Sequence, residues 1–337
     1  MLYFTNRMFT PSKVKIVCLL CLVSGLILGF FSRNLFVTNN LLDSITEIRN
    51  RKNYKFINPL LECDSNNISR DKNLDFLKNK LELFVNEQIK TNPDISFTSI
   101  YYRDLNNGPW IGINERELFS PASLIKVPLL ITYYKLAENN PDILDNKIVN
   151  TELFNPKDQN IVPEITLSQS QEYTVSELLD RMIIYSDNQA YDLLLKNIDN
   201  RKLIETYNNL GVDISLGFEN PNGNILSVKQ YASFFRILFN ASYLSKDMSE
   251  KTLGLLSRVK FSQALVAGVP SNILVAHKFG ERQYTDTGEK QLHDCGIIYL
   301  PNKPYLLCIM TRGKNIPIEE NFVKQISSMV YQNISGQ

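Results

Sequence analysis

The order in which helix and strand patterns follow one another constrains the fold of this 337-residue chain most strongly. Apolar residues recur at helical spacing from Leu74 to about Ile89, and β-branched and aromatic residues then favour strands at Ile95–Arg103 and Trp110–Ile113. Helical patterns fill the middle of the chain. Strand patterns return near the C-terminus, before a closing amphipathic helix, at Ile273–His277, Gly296–Leu300 and Tyr305–Thr311.

These patterns predict an α+β fold in which both ends of the chain build one sheet. A five-stranded antiparallel sheet would be flanked by the N- and C-terminal helices, with an all-helical lobe inserted between its strands. We expect the sheet lobe to comprise residues 73–120 and 255–337, and the helical lobe residues 121–254. A cleft between two such lobes is a natural position for a functional site.

Local signals predict where the helices of the middle region begin. Ser120 is placed to cap a helix over residues 122–136 that has a proline, Pro121, at its start. Thr174 and Glu177 have the spacing of a capping box ahead of an apolar run. Further helices are predicted over residues 193–210 and 228–239.

The N-terminus carries an apolar segment between basic residues. Ile16–Ser32 contains no charged residue, three basic residues precede it, and Arg33 follows it. The segment ends without the small-residue pattern of a signal-peptide cleavage site, so we interpret it as an uncleaved single-pass transmembrane anchor. A buried helix of a globular domain is the alternative.

The positive charges ahead of the anchor predict its orientation. They place residues 1–15 in the cytoplasm and the rest of the chain outside it, at the cell membrane. The Asn- and charge-rich residues 33–72 then read as a stalk, and residues 73–337 as the functional domain.

Composition excludes several classes of function. The formal net charge of +1 gives no general attraction to nucleic acid. The only histidines are His277 and His293, and no Cys/His cluster has metal-ligand spacing, so we expect neither a metal nor a cofactor. Cys63, Cys295 and Cys308 would lie where disulfides are permitted. The last two fall on neighbouring predicted strands, and the sequence leaves open whether any pair is bonded.

Ser123 and Lys126 are the first candidate pair for catalysis. Residues three apart share one face of a helix, so the Lys126 amine can reach the Ser123 hydroxyl and activate it as a nucleophile. Burial would favour the neutral, basic form of the lysine. A second pair, Ser12 and Lys15, has the same spacing in the basic N-terminal flank, so the spacing alone carries no meaning.

Two later motifs give the pair its meaning. Ser186-Asp187-Asn188 supplies a hydroxyl for proton relay and a carboxamide that can bind a substrate amide. Lys278-Phe279-Gly280 supplies a second lysine, and its glycine lets a substrate approach the strand closely. Each motif alone is more typical of a polar helix link or an exposed strand residue.

The ordered set of three motifs resembles the penicillin-recognising serine hydrolases, most closely the class A β-lactamases, over about residues 73–337. The resemblance implies that Ser123 is the acylated nucleophile, with Lys126 as its base partner. It implies that Ser186 relays protons, that Asn188 binds the substrate amide, and that Lys278 and Gly280 line the pocket. The oxyanion hole would come from the backbone N–H groups of Ser123 and Glu281.

The sequence departs from the family pattern at the third motif. The family has Thr or Ser after the lysine, where its hydroxyl contacts the substrate carboxylate, and this chain has Phe279. Arg282 is a nearby cation that could bind substrate instead. The arginine that the family carries on the next strand has no clear equivalent, because Cys295 precedes Gly296 there.

A second departure concerns turnover. The family places a glutamate, followed four residues later by asparagine, on an omega-shaped loop, where it activates the deacylating water. The comparable residue here is Glu219, its loop is shorter, and Gly223 stands four positions on. We therefore assign Glu219 as the candidate deacylating residue, with an ordinary loop carboxylate as the alternative.

The sequence thus predicts a monomeric, membrane-anchored, extracytoplasmic serine hydrolase. Its substrates would be β-lactams or D-Ala-D-Ala-like amides. The alternatives are a penicillin-binding-protein-like D,D-carboxypeptidase or endopeptidase acting on peptidoglycan peptides, and a non-catalytic module that binds wall peptides.

Overall fold

The structure is a computed structural model that describes residues 24, 47–63, 72–151, 153, 165–212 and 223–336. Ile45–Ser65 and Arg70–Gln337 form one compact unit, whose fold follows. The predicted anchor over residues 16–32 lies outside the described part of the chain, except for Ser24. Glu219 also lies outside it. No helix among the described residues combines the length and the apolar character needed to cross a membrane.

The described residues form eleven strands and eight α-helices. The strands are β1 (Glu47–Arg49), β2 (Leu60–Cys63), β3 (Ile95–Asp104), β4 (Trp110–Ile113), β5 (Leu118–Phe119), β6 (Lys147–Val149), β7 (Glu172–Thr174), β8 (Leu226–Ser227), β9 (Val275–Gln283), β10 (Lys290–Ile298) and β11 (Tyr305–Gly313). The helices are α1 (Lys72–Thr91), α2 (Lys126–Ala137), α3 (Val175–Ile184), α4 (Asn188–Lys196), α5 (Asn200–Asn209), α6 (Val228–Asn240), α7 (Lys246–Leu256) and α8 (Ile316–Ser335).

The main sheet has the predicted composition. Its strand order is β4-β3-β11-β10-β9, every neighbouring pair is antiparallel, and both ends of the chain contribute strands. The predicted α+β fold with a five-stranded sheet is therefore confirmed. Strands β9 and β10 extend further than the sequence indicated, because polar side chains such as Lys278 and Asp294 are buried in them.

The two faces of the sheet belong to two hydrophobic clusters. Residues 276, 295, 297, 306, 308 and 310 face the helices inserted in the middle of the chain. Their neighbours at 275, 292, 298, 307 and 309 face α1 and α8, as the two-residue period of a strand requires. Strand β9 lies at one edge of the sheet, so its outer side can contact other elements.

The helix that follows β5 begins differently from the prediction. A 3-10 turn, Ala122–Ile125, precedes α2, and no side chain caps it. Among the described residues the buried Ser120 hydroxyl has no hydrogen-bond partner, so the predicted Ser120 cap is wrong. The reason is a φ of 46° at Ala122, which turns the chain between Ser120 and the first helical turn.

Of two other helix predictions, one is confirmed and one is wrong. The capping box is confirmed: Thr174 accepts from the Glu177 N–H, and the Glu177 carboxylate accepts from the Thr174 N–H. The predicted helix over residues 193–210 is wrong as one element, because the Asp199 side chain accepts from the Arg201 N–H and starts α5 separately from α4. Helix α7 was not predicted.

Part of the predicted stalk packs against the domain. The Ile57 side chain is fully buried, and the Asn58 N–H donates to the Phe239 carbonyl at 2.9 Å. The Glu250 carboxylate accepts backbone N–H bonds from Lys55, Phe56 and Ile57. The stalk of residues 33–72 therefore includes a segment fixed to α6 and α7, while the domain boundary at residue 72 stays a prediction.

The open question about the cysteines has an answer for two of them. Cys295 on β10 stands directly opposite Cys308 on β11, with 4.0 Å between their Cα atoms, and a disulfide joins them.

Candidate active site

Ser123 lies in the 3-10 turn Ala122–Ile125, which packs against the edge strand β9. The residue before it, Ala122, has a φ of 46°, a region that costs a non-glycine residue about 1–3 kcal/mol. Such strain persists only where the surrounding structure imposes it. Ser123 itself is half-buried, so its hydroxyl is near both the protein interior and the solvent.

Lys126, at the start of α2, is almost completely buried and is surrounded by oxygen atoms. Its Nζ lies 3.0 Å from the Ser123 Oγ. The same nitrogen lies 2.6 Å from the Ser186 carbonyl oxygen and 3.2 Å from the Ser186 hydroxyl. The fourth oxygen is the Asn188 Oδ1, which lies 2.6 Å from the Lys126 Nζ.

The link between α3 and α4 supplies Ser186 and Asn188. Ser186 is buried and has a φ of 55°, so it is the second strained residue of the site. Asp187 caps α4 by accepting from the N–H groups of Gln189 and Ala190, which fixes the turn that carries both functional residues. Burial raises the Asp187 pKa above its usual value.

Lys278 lies within β9 and is completely buried. Its Nζ donates to the Ser186 hydroxyl at 2.9 Å and to the Phe279 carbonyl at 2.7 Å. Ser186 therefore stands between two lysine amines. The structure thus brings together Ser123, Lys126, Ser186, Asn188 and Lys278, which the sequence separates by up to 155 positions.

Burial lowers the pKa of both lysines. The pKa of Lys126 falls to about 7 because burial disfavours its charged form, although the charges of Asp187 and Asp192 oppose the fall. The pKa of Lys278 is also well below its ordinary value, first through burial and then through repulsion from Lys126. Near neutral pH the site can therefore hold a neutral amine at Lys126.

The contacts of Lys126 show how a neutral amine would be oriented. Such an amine has two N–H bonds and one lone pair. The carbonyl oxygens of Ser186 and Asn188 can only accept, and each lies 2.6 Å away, so they take the two N–H bonds. The lone pair is left for a hydroxyl, and the nearer hydroxyl is that of Ser123. Lys126 is thus positioned as a base for Ser123.

Gly280 brings β9 close to the candidate nucleophile. A Cβ at this position would lie 3.1 Å from the Ser123 backbone nitrogen and 3.2 Å from that of Leu124. The missing side chain therefore leaves space beside the Ser123 N–H.

Glu281, the next residue, presents its backbone to the same space. Its ladder partner is Leu292, whose N–H donates to Glu319 and whose carbonyl accepts from Thr311, both away from β9. Residues paired in this way direct their backbone groups away from each other, so the Glu281 N–H points to the open edge of β9. The predicted pair of oxyanion donors, Ser123 and Glu281, therefore flanks one space.

Phe279 occupies the position where the family has a hydroxyl. Its ring is buried and stacks on the Phe261 ring, with the centroids 4.1 Å apart. Arg282, two residues beyond Gly280 on β9, is half-buried, and its guanidinium lies 5.0 Å from the centre of the Tyr284 ring.

Sequence reasoning missed two contributors to the site. The Ser186 carbonyl, which binds Lys126, has no side-chain signal because any residue supplies a carbonyl. Phe261 follows α7 in an irregular segment and meets Phe279 only in the folded chain. No group of three or more metal-ligating side chains capable of holding an ion occurs among the described residues.

Comparisons with known proteins agree with this fold. A family model described as the beta-lactamase enzyme family matches residues 80–334. The solved structures that are similar include PBP-A, as a mutant in an acyl-enzyme complex with penicillin G, with a TM-score of 0.64 and 21% identity over 80% of this chain and 100% of that chain. No curated protein sequence matches the chain.

Two solved β-lactamases are similar to the same extent. TLA-1, an extended-spectrum enzyme, has a TM-score of 0.66 and 18% identity over 78% of this chain and 99% of that chain. The class A enzyme from Mycobacterium abscessus has a TM-score of 0.64 and 20% identity over 77% and 99%. At such identities the structural likeness shows a shared fold.

Proposed function

The chain belongs to the beta-lactamase enzyme family of serine hydrolases, and from that premise we propose that it cleaves acyl amides through an acyl-enzyme formed on Ser123. The substrates would be β-lactams or D-Ala-D-Ala-like peptides. One observation carries the proposal: the Ser123 hydroxyl lies 3.0 Å from the amine of Lys126, whose pKa burial lowers to about 7.

Acylation would begin with Ser123 Oγ attacking the carbonyl carbon of the amide. The hydroxyl proton passes to the lone pair of Lys126, and the negative charge moves to the carbonyl oxygen. The N–H groups of Ser123 and Glu281 stabilise this oxyanion, a contribution of about 3–4 kcal/mol per donor in well-studied enzymes.

Collapse of the tetrahedral intermediate would break the C–N bond. Ser186 lies 3.2 Å from Lys126 and 2.9 Å from Lys278, so its hydroxyl can give a proton to the leaving nitrogen and regain one from Lys126. The products of this step are a free amine and an ester on Ser123. Lys126 returns to its neutral form.

Hydrolysis of the ester would complete the cycle. Water adds to the acyl carbon, the acid is released, and Ser123 regains its proton. We retain Glu219 as the proposed activator of this water, and its loop lies outside the described residues.

The test is mass spectrometry of the purified domain after exposure to benzylpenicillin. A covalent adduct should appear on the wild-type protein and disappear in Ser123→Ala. Ser120→Ala is the matched control, because this serine is buried three positions earlier and its hydroxyl has no partner among the described residues. An adduct that persists in Ser123→Ala would exclude Ser123 as the nucleophile. Absence of an adduct with both benzylpenicillin and its methyl ester would favour the non-catalytic binding module.

We further propose that the domain works outside the cytoplasm, anchored by residues 16–32. The Cys295–Cys308 disulfide supports this placement, because disulfides persist in oxidising compartments. The test is extraction of membranes with alkaline carbonate. The full chain should remain in the membrane pellet, and a variant lacking residues 16–32 should be released. Release of the full chain would contradict the anchor.

A further inference from the structure

Lys278 already directs its N–H bonds to acceptors of the protein itself. Two acceptors are oxygens, the Ser186 hydroxyl at 2.9 Å and the Phe279 carbonyl at 2.7 Å. The third is the face of the Phe279 ring, whose centroid lies 4.2 Å from the Nζ. Lys278 is also completely buried. Even when it is protonated, its donors are therefore committed before a substrate arrives.

Phe279 places apolar surface beside the Lys278 amine, and its ring belongs to the same hydrophobic cluster as Phe261. Only 3% of the residue's surface is exposed, and its ring is nearly parallel to that of Phe261, at 21°. The two stacked rings offer no hydrogen-bond donor. An anionic group placed next to them would lose its hydration without gaining a partner, which is unfavourable.

The charges that act on the two lysines are mostly negative. Asp187 and Asp192 act on Lys126, Asp294 acts on Lys278, and Glu281 acts on both. The Arg282 guanidinium, the next cation along β9, packs against the Tyr284 ring. A carboxylate on the substrate would meet this field with like charge.

The chemistry places this region on one side of the scissile bond. Ser186 supplies the proton of the leaving nitrogen, and Lys278 is hydrogen-bonded to Ser186. Lys278 and the Phe279 ring therefore border the leaving group rather than the acyl group.

We infer that the site selects acyl amides whose leaving group carries no carboxylate next to the scissile bond, and that Phe279 is the residue that determines this specificity. Internal peptide bonds and C-terminally amidated peptides fit this description, whereas peptides that end in a free acid do not. The inference rests on the proposed function, since it names the substrate class of the same site.

Two matched pairs of compounds test the inference. One pair is an N-acylated peptide ending in D-Ala-D-Ala and its C-terminal carboxamide. The other is benzylpenicillin and its methyl ester. Within each pair the compounds differ only in a carboxylate. The measurement is the ratio of the acylation rates of Ser123, neutral form over acid, followed by mass spectrometry.

The wild-type protein should favour the neutral member of each pair by about tenfold or more, which corresponds to about 1.4 kcal/mol. Phe279→Thr should lower the ratio by about tenfold, because it introduces a hydroxyl donor. Phe279→Leu should retain the ratio, because it keeps the space apolar. The ratio compares two compounds on one protein sample, so a variant that folds less well still gives a valid value.

Phe322→Thr is the matched control, since this phenylalanine of α8 is equally buried and stacks on Phe84 of α1. Its ratio should equal that of the wild type. A wild-type ratio of one or less, with Ser123 still acylated, would overturn the inference and leave the proposed function standing. A ratio unchanged in Phe279→Thr would remove Phe279 from its role. No adduct with any of the four compounds would overturn the proposed function itself.

Discussion

The two faces of the five-stranded sheet both bury ionisable groups, but they provide them with different partners. On the face toward the inserted helices, Lys126 and Lys278 share the Ser186 hydroxyl. No carboxylate oxygen lies within hydrogen-bonding distance of either amine in the described contacts. On the face toward α8, the Asp294 carboxylate lies 2.7 Å from His277, and an oxygen of Glu319 lies 2.6 Å from the Thr311 hydroxyl.

The difference shows how one physical effect can have two uses. Burial disfavours the charged form of a group on either face. Beside Ser123 it produces a neutral amine with a lone pair, which is a reactive group. Beside α8 the buried carboxylate of Glu319 joins the helix to strands β10 and β11 through the Leu292 N–H and the Thr311 hydroxyl, which is a structural contact. The strained residues Ala122 and Ser186 both lie on the reactive side.

The largest expected effect comes from removing the base on the reactive face. Lys126→Met should lower the acylation rate of Ser123 by about 10²–10⁴-fold, the usual contribution of a positioned base. Stopped-flow measurement with a chromogenic β-lactam checks this. Lys135→Met is the matched control, because Lys135 lies on the same helix but binds Glu138 at 2.8 Å, and it should retain the wild-type rate. Equal losses in the two variants would indicate damage to α2 rather than loss of a base.

A smaller effect should follow from filling the space between β9 and Ser123. Gly280→Ala places a methyl group 3.1 Å from the Ser123 nitrogen, where the substrate oxyanion would bind. We expect the acylation rate to fall by about 10²–10³-fold, the range for loss of one oxyanion donor. The melting temperature should also fall modestly, because the methyl group lies closer to the Ser123 and Leu124 nitrogens than an ordinary van der Waals contact. A near-normal rate would show that the oxyanion binds elsewhere.

The adjacency of Ser123 and Lys126 could be predicted from the sequence because it depends only on three residues of helical chain. The presence of strands at both ends of the chain, joined in one sheet, followed in the same way from local patterns and from the need to bury them together. The contact of Lys278 with Ser186, 92 positions apart, required an additional resemblance to a known family, since no local pattern specifies it.

The parts that could not be predicted depend on backbone conformation or on distant partners. Ser120 has the composition of a helix cap, and the positive φ of Ala122 cancels that signal. Phe279 stands out in the sequence only as a departure, and its meaning comes from Phe261, which stacks on it from another segment. The pKa of Lys126 likewise depends on burial by elements that lie far apart in the chain.

The pH dependence of the acylation rate should show the lowered pKa of Lys126 on the reactive face. With a pKa of about 7, Lys126 becomes neutral as the pH rises, so the acylation rate should increase about tenfold per unit below pH 7 and level off above it. The charged groups that act on Lys126 are Lys278, Asp187, Asp192 and Glu281. A rate profile with its midpoint near pH 10 would mean that Lys126 titrates as an ordinary lysine.

On the opposite face, pH should alter stability instead of rate. Burial raises the pKa of Glu319 to about 8 from its usual 4.5, so between these values the folded state binds more protons than the unfolded state. The stabilisation is complete below pH 4.5 and is lost as the pH rises through 8, by about 1 kcal/mol per unit. Urea unfolding should show this decline in the wild type and in the exposed control Glu87→Gln, whereas Glu319→Gln should flatten it. A decline that persists in Glu319→Gln would assign the pH dependence to another group, and Glu319 would then be an ordinary ionised partner of Thr311.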